Sequence, residues 1–355
     1  MSVLARTETF CKRFGIQMPI LLAPMAGASA PSLSIAVIDA GGMGSCGALL
    51  MTPGEIAAWV RDVRSATSGP FQLNLWIPDA PPARDPDHEA AVRAFLATWG
   101  PEVAADAGDA RPPDFAAQCA ALLDAKPAAI SSVMGIYPEA FVARMKERGI
   151  PWFATATTVA EARGAEAAGA DVIVAQGMEA GGHRGAFDPS YAERALVGLI
   201  SLVPAVVDAV RVPVVATGGI ADGRGVAAAI ALGASAVAIG TAFLRSPEAK
   251  VPPAWADAIG KTAPEDTLLT RAFSGRAGRS IATTYVRAAM AEQAPTPAPY
   301  PVQRGLTAAM RATAAKEGDV QRMQAWAGQS GALARAEPAR DVVRRVWQEA
   351  RELIR

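Results

Sequence analysis

Eight short, continuously apolar runs punctuate the chain, and all but the last lead into an alanine-rich helical pattern. They are "PILLAPM" (19–25), "GSCGALL" (44–50), "FQLNLWI" (71–77), "PAAISSVMG" (127–135), "PWFATAT" (151–157), "DVIVAQG" (171–177), "VPVVATGG" (212–219) and "ASAVAIGTAF" (234–243). A strand that is apolar at every position is buried on both faces, as in a parallel sheet covered by its crossover helices. Eight such units favour a closed (β/α)8 TIM barrel over an open doubly wound sheet. Between them, "TPGEIAAWVRDVRSA" reads as a helix with Thr52 as N-cap and Pro53 at the first helical position.

After about residue 246 the rhythm breaks. A Pro-rich stretch, "PTPAPYPVQ" (295–303), lies among helical patterns at 305–316, 318–327 and 338–354. The expected organisation is therefore α/β: a barrel over 1–245, a smaller C-terminal helical cap over 246–335, and a final helix over 336–355 that packs back on the barrel. The tail helices leave two arrangements open, a cap on the barrel or packing against a second copy in a homodimer.

Charge and cysteine usage narrow the class of function. Lys plus Arg and Asp plus Glu number 34 each, so the chain lacks the basic footprint of a nucleic-acid binder. Cys11, Cys46 and Cys119 share no metal-type spacing and cannot all pair, which fits a reducing compartment. The N-terminal stretch lacks the pattern of a signal peptide, and no apolar run approaches the length of a membrane helix. The reading is a soluble, cytoplasmic protein with no membrane and no resident metal.

"GMGSCG" (42–47) matches the dinucleotide fingerprint G-x-G-x-x-G letter by letter. That motif requires a strand before it and a helix after it. Here the order is reversed, so it reads as a tight helix-to-strand turn. The better anion site is "ATGGIADGRG" (216–225) with "AIGTAFLRS" (238–246), at the ends of the last two strands. Barrels commonly hold phosphate there, on backbone N–H groups that glycine leaves open. Gly218, Gly219, Gly240 and Thr241 are the candidates. No G-K-[ST] follows, so this is not a nucleoside-triphosphate loop.

The chain has two histidines. His88, in "DPDHEA", reads as a solvated residue at a helix start. His183, in "AQGMEAGGHRG" (175–185), falls in the loop after the sixth strand, on the face that carries the phosphate loops. A lone histidine is more often structural than catalytic. Here Gln176 at the strand end, Gly181 and Gly182 beside it, and a side chain able to move a proton near neutral pH shift the reading toward a site.

Those residues, together with "LLAPMAG" (21–27), "FQLNLW" (71–76), "VVATGGIADGRG" (214–225) and "AIGTAFL" (238–244), resemble the nitronate monooxygenases, formerly called 2-nitropropane dioxygenases. The tail segments "RAFSGRAGR" (271–279), "YPVQRGLT" (300–307) and "WAGQSG" (326–331) resemble the same family. The resemblance implies a barrel that holds FMN non-covalently at its mouth and oxidises alkyl nitronates with O₂ to an aldehyde or ketone plus nitrite. It implies Pro24 and Met25 beside the flavin ring, Asn74 and Gln176 at its pyrimidine end, and Gly181 and Gly182 against the ring or its side chain. Gly218, Gly219, Gly240 and Thr241, with the main chain of Ala238 and Ile239, would hold the phosphate. His183 would act on the substrate, and Tyr300 and Gln303 would line the pocket from the cap.

Two positions depart from the family. Many members carry a His where Val133 stands, and a Gln where Ala238 stands, so a two-histidine site cannot operate here. Arg184 reads either as a claimant for a substrate carboxylate or as a solvated loop residue. Three alternatives remain beside nitronate oxidation. One is an FMN-dependent NAD(P)H reductase of a quinone or enoyl thioester. Another is a non-redox barrel acting on a sugar phosphate, which the absence of lysine at the strand ends disfavours. The third is a flavin-binding protein without catalysis, which would keep the phosphate site but tolerate loss of His183.

Overall fold

The structure, a computed structural model, describes residues 3–354. The main sheet consists of β1 (Ile20–Leu22), β2 (Gly44–Gly47), β3 (Phe71–Trp76), β4 (Ala129–Val133), β5 (Trp152–Ala156) and β6 (Val172–Gln176). A two-residue strand outside this sheet, β7 (Gly182–His183), precedes its last members, β8 (Val214–Thr217) and β9 (Ala236–Ile239). Neighbours run β1-β9-β8-β6-β5-β4-β3-β2, all parallel. A bridge between Leu21 and Met43 joins the two ends of that order. There Leu22 N donates to Met43 O at 2.9 Å and Met43 N to Ile20 O at 3.0 Å. The ring is closed, a (β/α)8 barrel as the eight apolar runs predict.

Strand parity divides the side chains between two cores. Leu21, Phe153, Val172, Val174, Val215, Ala236 and Ala238 share an inner cluster. Their neighbours Ile20, Leu22, Ile173, Ala175, Val214, Ala216, Val237 and Ile239 pack outward with the helices. The helix Val3–Phe14 shuts one end of the barrel: Phe10, Phe14 and Ile16 join the inner cluster, with the Phe14 ring edge-on to Phe153 at 4.9 Å. The mouth is left at the C-terminal ends of the strands. On the outside, Thr52 forms the expected cap: its Oγ1 accepts from Glu55 N at 3.3 Å, and Glu55 Oε2 accepts from Thr52 N at 2.7 Å.

The segment over the mouth is not purely helical. Strands β10 (Thr267–Thr270) and β11 (Gly278–Ile281) form an antiparallel pair, and β7 adds to β11 with His183 opposite Gly278 and Gly182 opposite Arg279. The helix expected over 318–327 does not form. Gly318, at φ 68°, ends the preceding helix in the left-handed conformation that glycine adopts without strain. Asp319 then takes Gln321 N and Arg322 Nε into a turn, and Trp326 is extended against Ser280. The helix Pro86–Leu96, inserted after β3, gives Val92 and Leu96 to the apolar cluster of Phe273, Tyr285, Val302 and Leu306. The final helix, Ala339–Ile354, packs on the helices Gly223–Ala231 and Pro31–Asp39. No described helix is long and apolar enough to cross a membrane.

Candidate functional site

A cavity of about 370 Å³ opens at the barrel mouth, within the range that holds a cofactor or a drug-sized ligand. The inward parity of each strand carries through to its rim. Ala23, Asn74, Trp76, Val133, Thr155, Gln176, Thr217 and Ala238 all line the cavity. Pro24, Met25, Gly181, Gly182, His183, Gly218, Gly219, Gly240, Thr241 and Tyr300 reach it from the loops and the cap. Two expected residues do not. Ile239 sends its side chain outward by the same parity, into the helix-facing core, while its main chain, the part expected at the phosphate, leads directly into Gly240 at the rim. Gln303 spends its amide inside the cap, accepting from Ala298 N at 2.9 Å and donating to Ala272 O at 2.8 Å. Arg304, the next residue, is the one that lines the cavity.

The glycine end presents unspent donors. Among the described residues, the N–H groups of Gly218, Gly219 and Gly240 have no protein acceptor. Gly218 and Gly219 sit at φ 111° and 68°, where a side chain is strained. The cap closes on this end through Gly328 N, which donates to Thr241 Oγ1 at 3.0 Å, and Ser330 Oγ, which donates to Gly219 O at 2.6 Å. Orphan N–H groups beside small side chains (Ala23, Ala26, Ala180) make a cradle for an anion such as a phosphate.

At the other end, Asn74 donates Nδ2 to Ser131 Oγ at 3.0 Å, and its Oδ1 has no partner among the described residues. Gln176 is more heavily committed. It donates Nε2 to His183 O at 3.2 Å and accepts Gly185 N at 2.8 Å and Arg184 Nη1 at 3.3 Å on Oε1. Its first duty is to hold the loop. Arg184 fits neither of its expected readings: it is 2% exposed and donates to the carbonyls of Gln176, Gly177 and Ala195. Burial pulls its guanidinium down to about 10.

His183 is held from all sides. Its backbone is paired in β7, and its ring stands edge-on to Trp76 at 4.6 Å and to Trp326 at 4.9 Å. Nε2 lies 2.7 Å from Ser274 Oγ. Desolvation beneath the cap, helped by the nearby guanidiniums of Arg276, Arg304 and Arg311, pushes its pKa down to about 3, so the imidazole is neutral. Arg311 is anchored to Thr307 Oγ1, Gln324 Oε1 and Arg304 O. The Arg304 guanidinium has no hydrogen-bond acceptor and no carboxylate partner among the described residues, although it lines the cavity.

Trp76, Ser274, Arg304, Arg311 and Trp326 escape a reading of the sequence by motif. Trp76 was open to inference, because it shares inward parity with Asn74 at the end of β3. Nothing local marks the cap residues, which reach the mouth only by tertiary packing. His88 caps nothing with its side chain: it starts the helix Pro86–Leu96, its N–H held by Asp85. No group of three or more His, Cys, Asp or Glu among the described residues could hold a metal.

Comparison with known proteins agrees with this geometry. The family described as nitronate monooxygenase matches residues 7–349. A nitronate monooxygenase of Paraburkholderia phytofirmans is 38% identical over 350 residues, covering 96% of this chain and 94% of that one. The crystal structure of nitroalkane oxidase from Streptomyces ansochromogenes superposes with a TM-score of 0.86 at 36% identity, covering 97% and 98% of the two chains. FabK from Thermotoga maritima superposes less well, with a TM-score of 0.75 at 28% identity over 98% and 96%. The chain belongs to the nitronate monooxygenase family, a family of flavin-dependent oxidoreductases.

Proposed function

We propose that the chain binds FMN non-covalently in the mouth cavity and oxidises alkyl nitronates with O₂ to an aldehyde or ketone plus nitrite. The observation that carries this is one continuous cavity, with three unspent glycine N–H groups at one end and a neutral histidine under the cap at the other. Gly218, Gly219, Gly240 and Thr241 would take the phosphate. Asn74 Oδ1 would accept a hydrogen bond from the ring's pyrimidine end, with Pro24, Met25, Gly181 and Gly182 along it. FMN supplies the electron acceptor when bound.

The protein's own part is binding and orientation. A nitronate is an anion, and Arg304 and Arg311 place positive charge beside the cavity. His183, wedged between two tryptophan rings, offers a polar edge to the substrate, while Tyr300 and Trp76, 5.6 Å apart, wall the pocket. Val133, paired with Trp76 across β3 and β4, adds an apolar side chain to the lining.

The test is His183→Ala. The variant should retain FMN and lose about ten- to a hundredfold in nitronate turnover, the worth of one hydrogen bond to a charged group. Retention of parental turnover would remove His183 from the chemistry. Protein that cannot take up FMN would remove the flavin reading. Rapid reduction of bound flavin by NADH or NADPH, without response to nitronate, would favour the reductase alternative.

A further inference from the structure

The contact between His183 and Ser274 fixes more than the position of a ring. Ser274 Oγ makes three contacts: Nε2 of His183 at 2.7 Å, Arg276 N at 3.3 Å and Arg276 O at 3.2 Å. A hydroxyl has one proton to donate. Arg276 N–H can only donate and takes one oxygen lone pair, so the single proton goes either to Nε2 or to Arg276 O, and in the second case Nε2–H donates to the remaining lone pair. A separation of 2.7 Å is usual for a hydroxyl donor, whereas an N–H donor prefers about 2.9–3.0 Å. The nearer acceptor is the imidazole.

We propose that Ser274 donates to Nε2 of His183, fixing the ring as the tautomer that carries its proton on Nδ1. His183 Nδ1 has no partner among the described residues, and the residue lines the cavity together with Ser274. The nearby guanidiniums disfavour a second proton, so the ring presents one N–H and no free lone pair.

The consequence rests on the functional reading above and sharpens it. A nitronate oxygen is an anionic acceptor, and the Nδ1–H matches it. A neutral nitroalkane must lose a proton from carbon, and the only nitrogen that could take it is occupied by Ser274. His183 is then a substrate-binding donor, and Ser274 a positioning residue acting through it.

The tautomer can be read without substrate. With two histidines in the chain, ¹⁵N-histidine labelling gives two imidazoles, and His88→Gln identifies the other one. We expect the His183 spectrum of the purified protein to show a protonated Nδ1 and a hydrogen-bonded, unprotonated Nε2, unchanged from pH 8 to pH 5. Ser274→Ala should give mixed tautomers and lower nitronate turnover by the lost share of the Nδ1–H form, about two- to fivefold. Ser274→Thr, which restores the hydroxyl, should recover both. A proton on Nε2 in the parent protein, or an Nδ1–H ring unmoved in Ser274→Ala, would overturn the assignment. Because the spectrum requires no nitronate, this failure is separable from failure of the proposed activity.

Discussion

Gly181 and Gly182 are adjacent, yet the structure requires glycine at each for a different reason. A Cβ on Gly181 would overlap Gly328 N and stand 2.6 Å from the Ala327 carbonyl carbon and 2.8 Å from Thr241 Oγ1. The first two are main-chain atoms, so the cap segment itself must move. That movement pulls on the 3.0 Å hydrogen bond from Gly328 N to Thr241 Oγ1. Overpacking costs about 1–3 kcal/mol and a hydrogen bond about 0.5–1.5 kcal/mol, so Gly181→Ala should destabilise by about 2–4 kcal/mol. A Cβ on Gly182 would meet nothing within 4 Å, but the residue sits at φ 74°. Gly182→Ala should cost only the left-handed penalty of about 1–2 kcal/mol. Gly182→Asn should cost less, because asparagine tolerates that conformation, whereas Gly181→Asn should be at least as damaging as alanine. Denaturant midpoints of the four variants, measured without cofactor, decide the matter. Equal losses for Gly181→Ala and Gly182→Ala, or rescue of position 181 by asparagine, would refute the steric argument.

The depressed pKa of His183 makes stability depend on pH, with a definite sign. The unfolded chain takes up a proton near pH 6.5 while the folded chain resists until about 3, so stability falls as pH falls below 6.5. Between pH 7 and pH 5 the loss should be about 2 kcal/mol. The midpoint of His183→Asn should lack that part of the decline, and an identical pH slope in both proteins would contradict a buried neutral imidazole. Thr52→Ala removes the reciprocal cap of the helix Pro53–Ala66 and should cost about 1 kcal/mol by denaturant titration with no change in turnover, since the helix lies outside the barrel mouth.

The barrel was legible because each strand is buried on both faces, leaving an unbroken apolar run. Once the strands are placed, parity alone sends the Ala238 side chain to the cavity and the Ile239 side chain to the outer core. The glycine loops were legible for a related reason: close approach of a ligand to the backbone excludes side chains, and glycine records that in the sequence. The cap was harder to read. "TLLT" and "GRSI" are too short and mixed to announce β10 and β11, and the alternation at 318–327 resembled a helix until Gly318 and Asp319 turned the chain. Gln303 looked like a pocket residue because its segment is one, yet its amide faces inward and Arg304 takes the cavity. Ser274, Trp326 and Arg311 acquire their roles only through contacts made across the fold.

The pairing of β7 with β11 bears on the order in which the chain assembles. Gly182 and His183 gain their strand partners only from Gly278 and Arg279, almost a hundred residues later in the chain. Closing the barrel spans a longer loop still, because β1 pairs β9 with Ile20 opposite Val237, whereas β3, β4, β5 and β6 pair with near neighbours in the chain. During refolding, those neighbouring strands should therefore regain their secondary structure before the ring of His183 is seated, and turnover should lag behind both.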